Sequence, residues 1–383
     1  MDTKIQFIKE SAPHIRRKDS LNRMMIDVVI GLLPVVLFAF IAAPLAALRN
    51  LLVSIATMEL AEFVFVLIMN RIPYDGQKHT MKEHFMNAIG KYRLSNVTVP
   101  LVSAIIYALI MPSYMEAGYE YLMYVALIVG AVFGLAIGKL VFGGTGNNIF
   151  NPAAVGMVFA KACFGSHYVY FQPFTQEGGQ IVSAGATSLG SDYIDIAGKA
   201  FLSDNYSLLD LFLGRIPGLM GEICKIAILV GFIYMFIRHT IDWRISASYV
   251  GSFFVMMLVA GLIVHGAEEN INPFYFATYH LLSGGVLFAA VYMATDPVTS
   301  PITRPGRILY GVILAVCTSF IRLFGSLPEG VVYSILIGNM LTSVIDYPKW
   351  SNNKFTWKNI LWPVGVFSFF TLILVWALCV EVL

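Results

Sequence analysis

Gly143-Gly144-Thr145-Gly146-Asn147-Asn148-Ile149-Phe150-Asn151-Pro152 separates two apolar runs, residues 121 to 142 and 152 to 164. Its glycines admit left-handed backbone, and the proline at its end lacks an N–H, so neither helix continues through it. A second polar interruption, Thr295-Asp296-Pro297-Val298-Thr299-Ser300-Pro301, follows another apolar run. Irregular backbone at membrane depth is tolerated only where it is buried in protein or lines a wet cavity. The paired interruptions therefore predict an all-α polytopic membrane protein with a central site built from two broken helix ends.

Composition supports the same reading. Of 383 residues 58% are hydrophobic and only 13% charged, and mean hydropathy is +0.74. A large soluble domain has no room in such a chain. The net charge of +2 is too small for a nucleic-acid face. Cys163, Cys224, Cys317 and Cys379 stand singly, without metal or disulfide spacing, and read as packing residues. The opening stretch, with Lys4, Lys9, Glu10, Arg16, Arg17 and Lys18, is too mixed in charge for a cleaved signal, so the first helix is expected to be retained.

A bilayer core of about 30 Å needs roughly 20 apolar residues per helix. Runs near 25–46, 50–69, 97–112, 121–142, 152–164, 218–237, 247–265, 274–294, 308–324, 330–345 and 360–381 predict about 10 to 11 spans. Basic residues of the N-terminal tail, the 71–95 loop, Arg238 with Arg244, Arg304 with Arg307, and Lys349 to Lys358 fall on one side, which the positive-inside rule makes cytoplasmic. The opposite side receives Glu116, Glu120, the 165–217 segment and Glu268 with Glu269. The first five spans then begin inside and the next five outside, an inverted repeat. The expected division is a tail (1–24), a first half (25–164), an outer loop (165–217), a second half (218–346) and an extension with one extra helix (347–383).

The glycine and asparagine turn offers close backbone approach and amides that donate and accept, which suits a neutral heteroaromatic ligand. It lacks the Lys-Ser/Thr ending of a phosphate loop, and a plain helix-breaking turn is the alternative. Acids in apolar spans are suspected of function; Glu59, Glu62, Glu222, Asp296 and Asp346 are the ion-pathway candidates, with a helix-cap role equally open for Glu222. Arg322, near an outer boundary, is expected to snorkel or to pair with Glu329, and His280 reads equally as a packing residue or a cofactor contact.

Several segments in order resemble one family: Pro13-His14-Ile15-Arg16, the 143–154 stretch, Ala184-Gly185-Ala186-Thr187-Ser188-Leu189, His280-Leu-Leu-Ser-Gly-Gly285 running into Met293-Ala-Thr-Asp-Pro-Val-Thr299, and Ile321-Arg-Leu-Phe-Gly325. Together they are similar to the RnfD/NqrB family, over about residues 11 to 347. The opening residues look most like the RnfD branch, from the Rnf ferredoxin:NAD complex; the NqrB branch, from the sodium-pumping NADH:quinone reductase, is the alternative.

The resemblance implies FMN joined through its phosphate to Thr187, with Gly185, Ala186 and Ser188 around it, and a noncovalent riboflavin near Asn148 and Asn151. Gly144, Gly146, His280, Asp296 and Thr299 complete the cofactor-binding set expected from it. Ile181 and Ala184 depart from the attachment pattern, with Ser183 a partial substitute, and Asn96-Val97 stands where the family shows an acid-glycine pair. The implied partners are two small membrane subunits, an FMN-bearing subunit of the G type, soluble NADH- and ferredoxin-side subunits, and a flavin transferase. The implied place is a bacterial inner membrane, with Thr187 outside and sodium or protons exported; the isolated subunit is expected to have little activity. From another class, a cofactor-free channel or secondary transporter fits the inverted halves, and a scaffold with decayed flavin sites fits the departures.

Overall fold

The computed structural model describes residues 21–70, 72, 80–144, 146–174, 180–182, 207–267, 272–325, 330–348, 350–351, 353–354 and 356–382. In the first half, helix α1 (Leu21–Ala42) is followed by α2 (Pro44–Met69), α3 (Met81–Gly90), α4 (Ser95–Ile110), α5 (Tyr121–Gly138) and α6 (Pro152–Phe164). Next come α7 (Leu208–Leu213), α8 (Lys225–Ile237), α9 (Trp243–Ala267) and α10 (Pro273–Leu282). The last are α11 (Val286–Met293), α12 (Arg304–Phe324), α13 (Val331–Ile345) and α14 (Trp357–Val382). Among the described residues, six helices are long and apolar enough to cross a membrane, or eight if each bent pair is one span. The chain is a multi-pass all-α membrane protein. Leu37, Ile41, Leu45, Leu48 and Leu52 form an exposed apolar row that only hydrocarbon would solvate.

One packing order runs through both halves. The second helix of each (α2, α9) packs on the third and fourth (α4 and α5; α10 and α12), and the fourth packs on the fifth (α5 on α6; α12 on α13). The two first helices, α1 and α8, contact each other, as do the two last, α6 and α13. This is the contact pattern of an internal repeat.

Glycine sets the closest of these contacts. Gly130, Gly134 and Gly138 recur every fourth residue along α5; a Cβ on Gly134 or Gly138 would strike Pro152 or Gly156 of α6, and one on Gly130 the Tyr107 hydroxyl of α4. Small residues at that spacing let two helix backbones meet in a membrane.

The boundaries differ from the apolar runs where backbone chemistry intervenes. The run 25–46 divides, because Pro44 takes the first position of a new helix. The run 218–237 is helical only from Lys225: the residues before it form irregular backbone after Gly214, whose φ is +85°. The run 274–294 is bent by 61° between Leu282 and Val286, where Gly284 has φ of +63°. Helix α3, expected only as basic loop, starts on a capping box in which Thr80 and Glu83 satisfy each other's backbone N–H.

A small antiparallel sheet packs its buried residues Met115, Tyr168 and Tyr170 into the helical core. β1 (Tyr114–Met115) pairs with β2 (Tyr168–Gln172), and β2 with β3 (Gln180–Val182).

Candidate functional site

The two polar interruptions meet. One cavity is lined by Asn148, Asn151 and Pro152 from the first, by Thr295, Asp296, Pro297 and Val298 from the second, and by Lys139, Tyr292, Met25 and Ser103 between them. Most of its remaining wall is aliphatic, from Val28, Val99, Val102, Ile106, Ile241 and Val291.

Each side is built by local rules. After Gly138, a short tight turn ends at Gly143, and Gly143, Gly144 and Gly146 have φ of +104°, +87° and +93°. That left-handed backbone explains the glycines, since a Cβ there costs roughly 1–2 kcal/mol each. Asn151 then caps α6: its side-chain oxygen accepts from the N–H groups of Ala153 at 3.0 Å and Ala154 at 3.4 Å. With its amide turned so that both ends find partners, the Asn339 side chain accepts from the Asn151 backbone N–H at 2.9 Å, which ties the start of α6 to α13. Asn148 is buried, and its carbonyl oxygen has no hydrogen-bond partner among the described residues.

Opposite, α11 ends in a wide turn in which the Ala294 N–H reaches the Ala289 carbonyl at 2.8 Å, a π-type bond of a kind frequent at functional sites. The Asp296 carboxylate then accepts from the Val298 N–H at 3.1 Å and the Thr299 hydroxyl at 3.0 Å. Asp296 and Thr299 thus shape the turn that closes this side. Tyr292 donates to the Gly31 carbonyl at 2.8 Å, tying the same wall to α1.

Lys139 was not singled out by the sequence, and it joins the cavity to an acidic pair. Its ammonium is 3.0 Å from Oε1 of Glu62, and that oxygen also accepts from the Asn96 amide at 3.1 Å. Glu59 lies one turn away on α2. One carboxylate oxygen of each acid, Oε1 of Glu59 and Oε2 of Glu62, is buried without a hydrogen-bond partner. One lysine thus faces two acids near the end of α5, Glu62 buried and Glu59 half-buried. The signal was present: Lys139 is a lone cation at the end of an apolar helix.

Other candidates fall elsewhere. Asp346 holds a loop, accepting from the Ile302 N–H at 2.7 Å and the Thr303 hydroxyl at 3.2 Å. Glu222 packs against the α10–α11 bend, where a Cβ on Gly285 would overlap its carboxylate. Lys225, fully buried, donates to the Glu222 carbonyl and, at 3.3 Å, to the Gly284 carbonyl. His280 is buried against Phe276, ring centres 4.4 Å apart, and its carbonyl accepts from Arg322. Arg322 also stacks over Phe253 at 5.2 Å. Gly185, Ala186, Thr187, Ser188 and Glu329 lie outside the described residues.

A family model described as "NQR2, RnfD, RnfE family" matches residues 8–353. The chain is 30% identical over 340 residues to the D subunit of the Na(+)-translocating ferredoxin:NAD(+) oxidoreductase complex of Acetobacterium woodii, covering 88% of this chain and 91% of that protein. It is 37% identical over 257 residues to the B subunit of the Na(+)-translocating NADH-quinone reductase of Chromohalobacter salexigens, covering 64% and 57%. The corresponding protein of Azotobacter vinelandii is 35% identical over 225 residues, covering 57% and 53%. The chain thus spans little more than half the length of these quinone reductase proteins.

Proposed function

The chain belongs to the NQR2, RnfD, RnfE family, and on that premise we propose that it is the large membrane subunit of an ion-translocating oxidoreductase of Rnf type, carrying FMN on Thr187 and a noncovalent flavin in the cavity between its two broken helix ends. The Rnf assignment is supported by the match to the Acetobacterium woodii protein along nearly its whole length. Ferredoxin and NAD are then the outer partners, reached through soluble and smaller membrane subunits, with sodium or protons exported. The observation that carries the reading is the shared cavity of Asn148 and Asp296 beside Lys139.

The lining residues suit a flavin ring in kind, and the cavity's volume of about 50 Å³ means that the two turns must part to admit one. Aliphatic walls suit an aromatic ring system, and the buried, unpartnered carbonyl oxygen of Asn148 suits an N–H of such a ring. The flavin would supply the electron transfer. Asn148 would accept from the ligand, while Asn151 and Asp296 hold the two turns in place. Lys139 sets the electrostatics: its charge lies between the cavity and Glu62, so charge arriving in the cavity competes with Glu62 for the same ammonium. That competition couples electron transfer to the state of Glu62 and Glu59, which form the ion path in this proposal.

The attachment residue gives the direct test. In-gel flavin fluorescence of the denatured protein, co-expressed with the flavin transferase and its partners, is expected for the wild type and absent for Thr187→Ala. A dark wild-type band would sink the covalent-flavin claim and promote the cofactor-free transporter.

A further inference from the structure

Helix α3 is the one described helix of its length whose place follows neither from the central cavity nor from the crossing spans. It is bent by 77° from α4, which follows it. If α4 crosses the membrane, α3 runs close to the membrane plane. One flank is tied to the end of α2: the His84 ring accepts from the Ile72 N–H at 3.1 Å, Asn87 donates to the Asn70 carbonyl at 2.7 Å, and Ala88 is buried. The other flank carries Met81, Phe85, Met86 and Ile89, all exposed, Met81 to 81%. At 3.6 residues per turn these four positions span an arc of about 140°, with Lys82 inside it.

The end of α2 next to α3 exposes apolar side chains as well. Leu60, Val64, Ile68 and Met69 of α2 are exposed toward the same end of that helix. Tyr92, just beyond α3, packs edge-on against Phe63 of α2 at 5.9 Å, an aromatic at the level where interfacial rings gather. Around α3 the exposed charges among the described residues are Lys82, Lys91 and Arg93, against one exposed acid, Glu83. Glu83 is turned back on the start of its own helix, where it accepts from the Thr80 N–H at 2.9 Å.

We propose that α3 is an interfacial anchor: it lies in the headgroup layer of the leaflet bordered by the basic loops, with Met81, Phe85, Met86 and Ile89 in the acyl boundary and Lys82, Lys91 and Arg93 binding the phosphates of anionic lipids. An amphipathic helix with basic residues beside its apolar face binds a membrane in this way. Each basic side chain near an anionic surface strengthens binding about fivefold. Because α3 is joined to both α2 and α4, its seat also fixes the depth of Glu59 and Glu62 below the membrane surface.

A benzophenone amino acid placed at Phe85, Met86 or Ile89 of the full chain in its assembled complex tests this. The complex is reconstituted in phosphatidylcholine vesicles with and without one-third phosphatidylglycerol, with Val64 as a lipid-facing control. After illumination, the expected products at all three positions are phospholipid adducts, with phosphatidylglycerol severalfold over its bulk share. Replacing Lys82, Lys91 and Arg93 by Gln should return that share to bulk. A cross-link to another protein of the complex, or no adduct while Val64 yields one, overturns the membrane seat. Enrichment unchanged in the triple Gln variant overturns the headgroup contact.

Discussion

The Lys139 ammonium lies 3.0 Å from Oε1 of Glu62, and both side chains are only 1% exposed. A pair so buried is strongly destabilised when one partner is removed, because the other charge stays in low dielectric, whereas removal of both is often nearly neutral. Lys139→Met is therefore expected to lose about 3 to 5 kcal/mol, and the double variant Lys139→Met, Glu62→Gln should recover much of it. Thermal unfolding of the purified complex reads both. Losses that simply add would show that the two groups do not interact.

Close packing of α5 on α6 predicts a steep dependence on side-chain size. Gly134→Ala places a methyl group against the Pro152 carbonyl and the Gly156 backbone, with no flexible side chain to yield. Overpacking of this kind costs about 1 to 3 kcal/mol, and here it also displaces the start of α6 and the Asn148 turn. Gly251→Ala on α9 meets nothing within 4 Å and should leave the melting temperature unchanged or raised. Equal effects of the two variants would contradict the contact.

Asp346 separates a structural acid from a transporting one. One carboxylate oxygen accepts from the Ile302 N–H and the other from the Thr303 hydroxyl and N–H, so an uncharged amide keeps one of the two acceptors. Asp346→Asn should keep ion transport and most of the stability, while Asp346→Ala should lose about 0.5 to 1.5 kcal/mol, the net contribution of hydrogen bonds at a partly exposed site. Loss of transport in the Asn variant, with stability intact, would return Asp346 to the ion path.

Hydropathy made the membrane class legible, and the Gly143–Pro152 and Thr295–Pro301 stretches made both sides of the cavity legible, because helix breakers carry their own backbone rules. The Glu62–Lys139 pair was not legible: its partners are 77 positions apart, and nothing local in an apolar run says which helix a lone lysine will meet. The same holds for Asn339, which reaches Asn151 from the other half of the chain. Helix α3 was hidden for another reason. Its apolar stripe is short and mixed with lysines, so it reads as loop until the capping box at Thr80 and Glu83 is recognised.

The two cavity asparagines should part under mutation. The oxygen of Asn151 is engaged at the start of α6, so Asn151→Ala loses a helix cap, about 0.5 to 2 kcal/mol, and any loss of ligand follows from instability. The oxygen of Asn148 has no partner among the described residues, and removing an unsatisfied buried acceptor is neutral or stabilising for the protein alone. Asn148→Ala should therefore melt at or above the wild-type temperature and yet release less noncovalent flavin per chain on acid extraction. Undiminished flavin in a stable Asn148→Ala variant would remove Asn148 from the binding set and leave the two turns as architecture only.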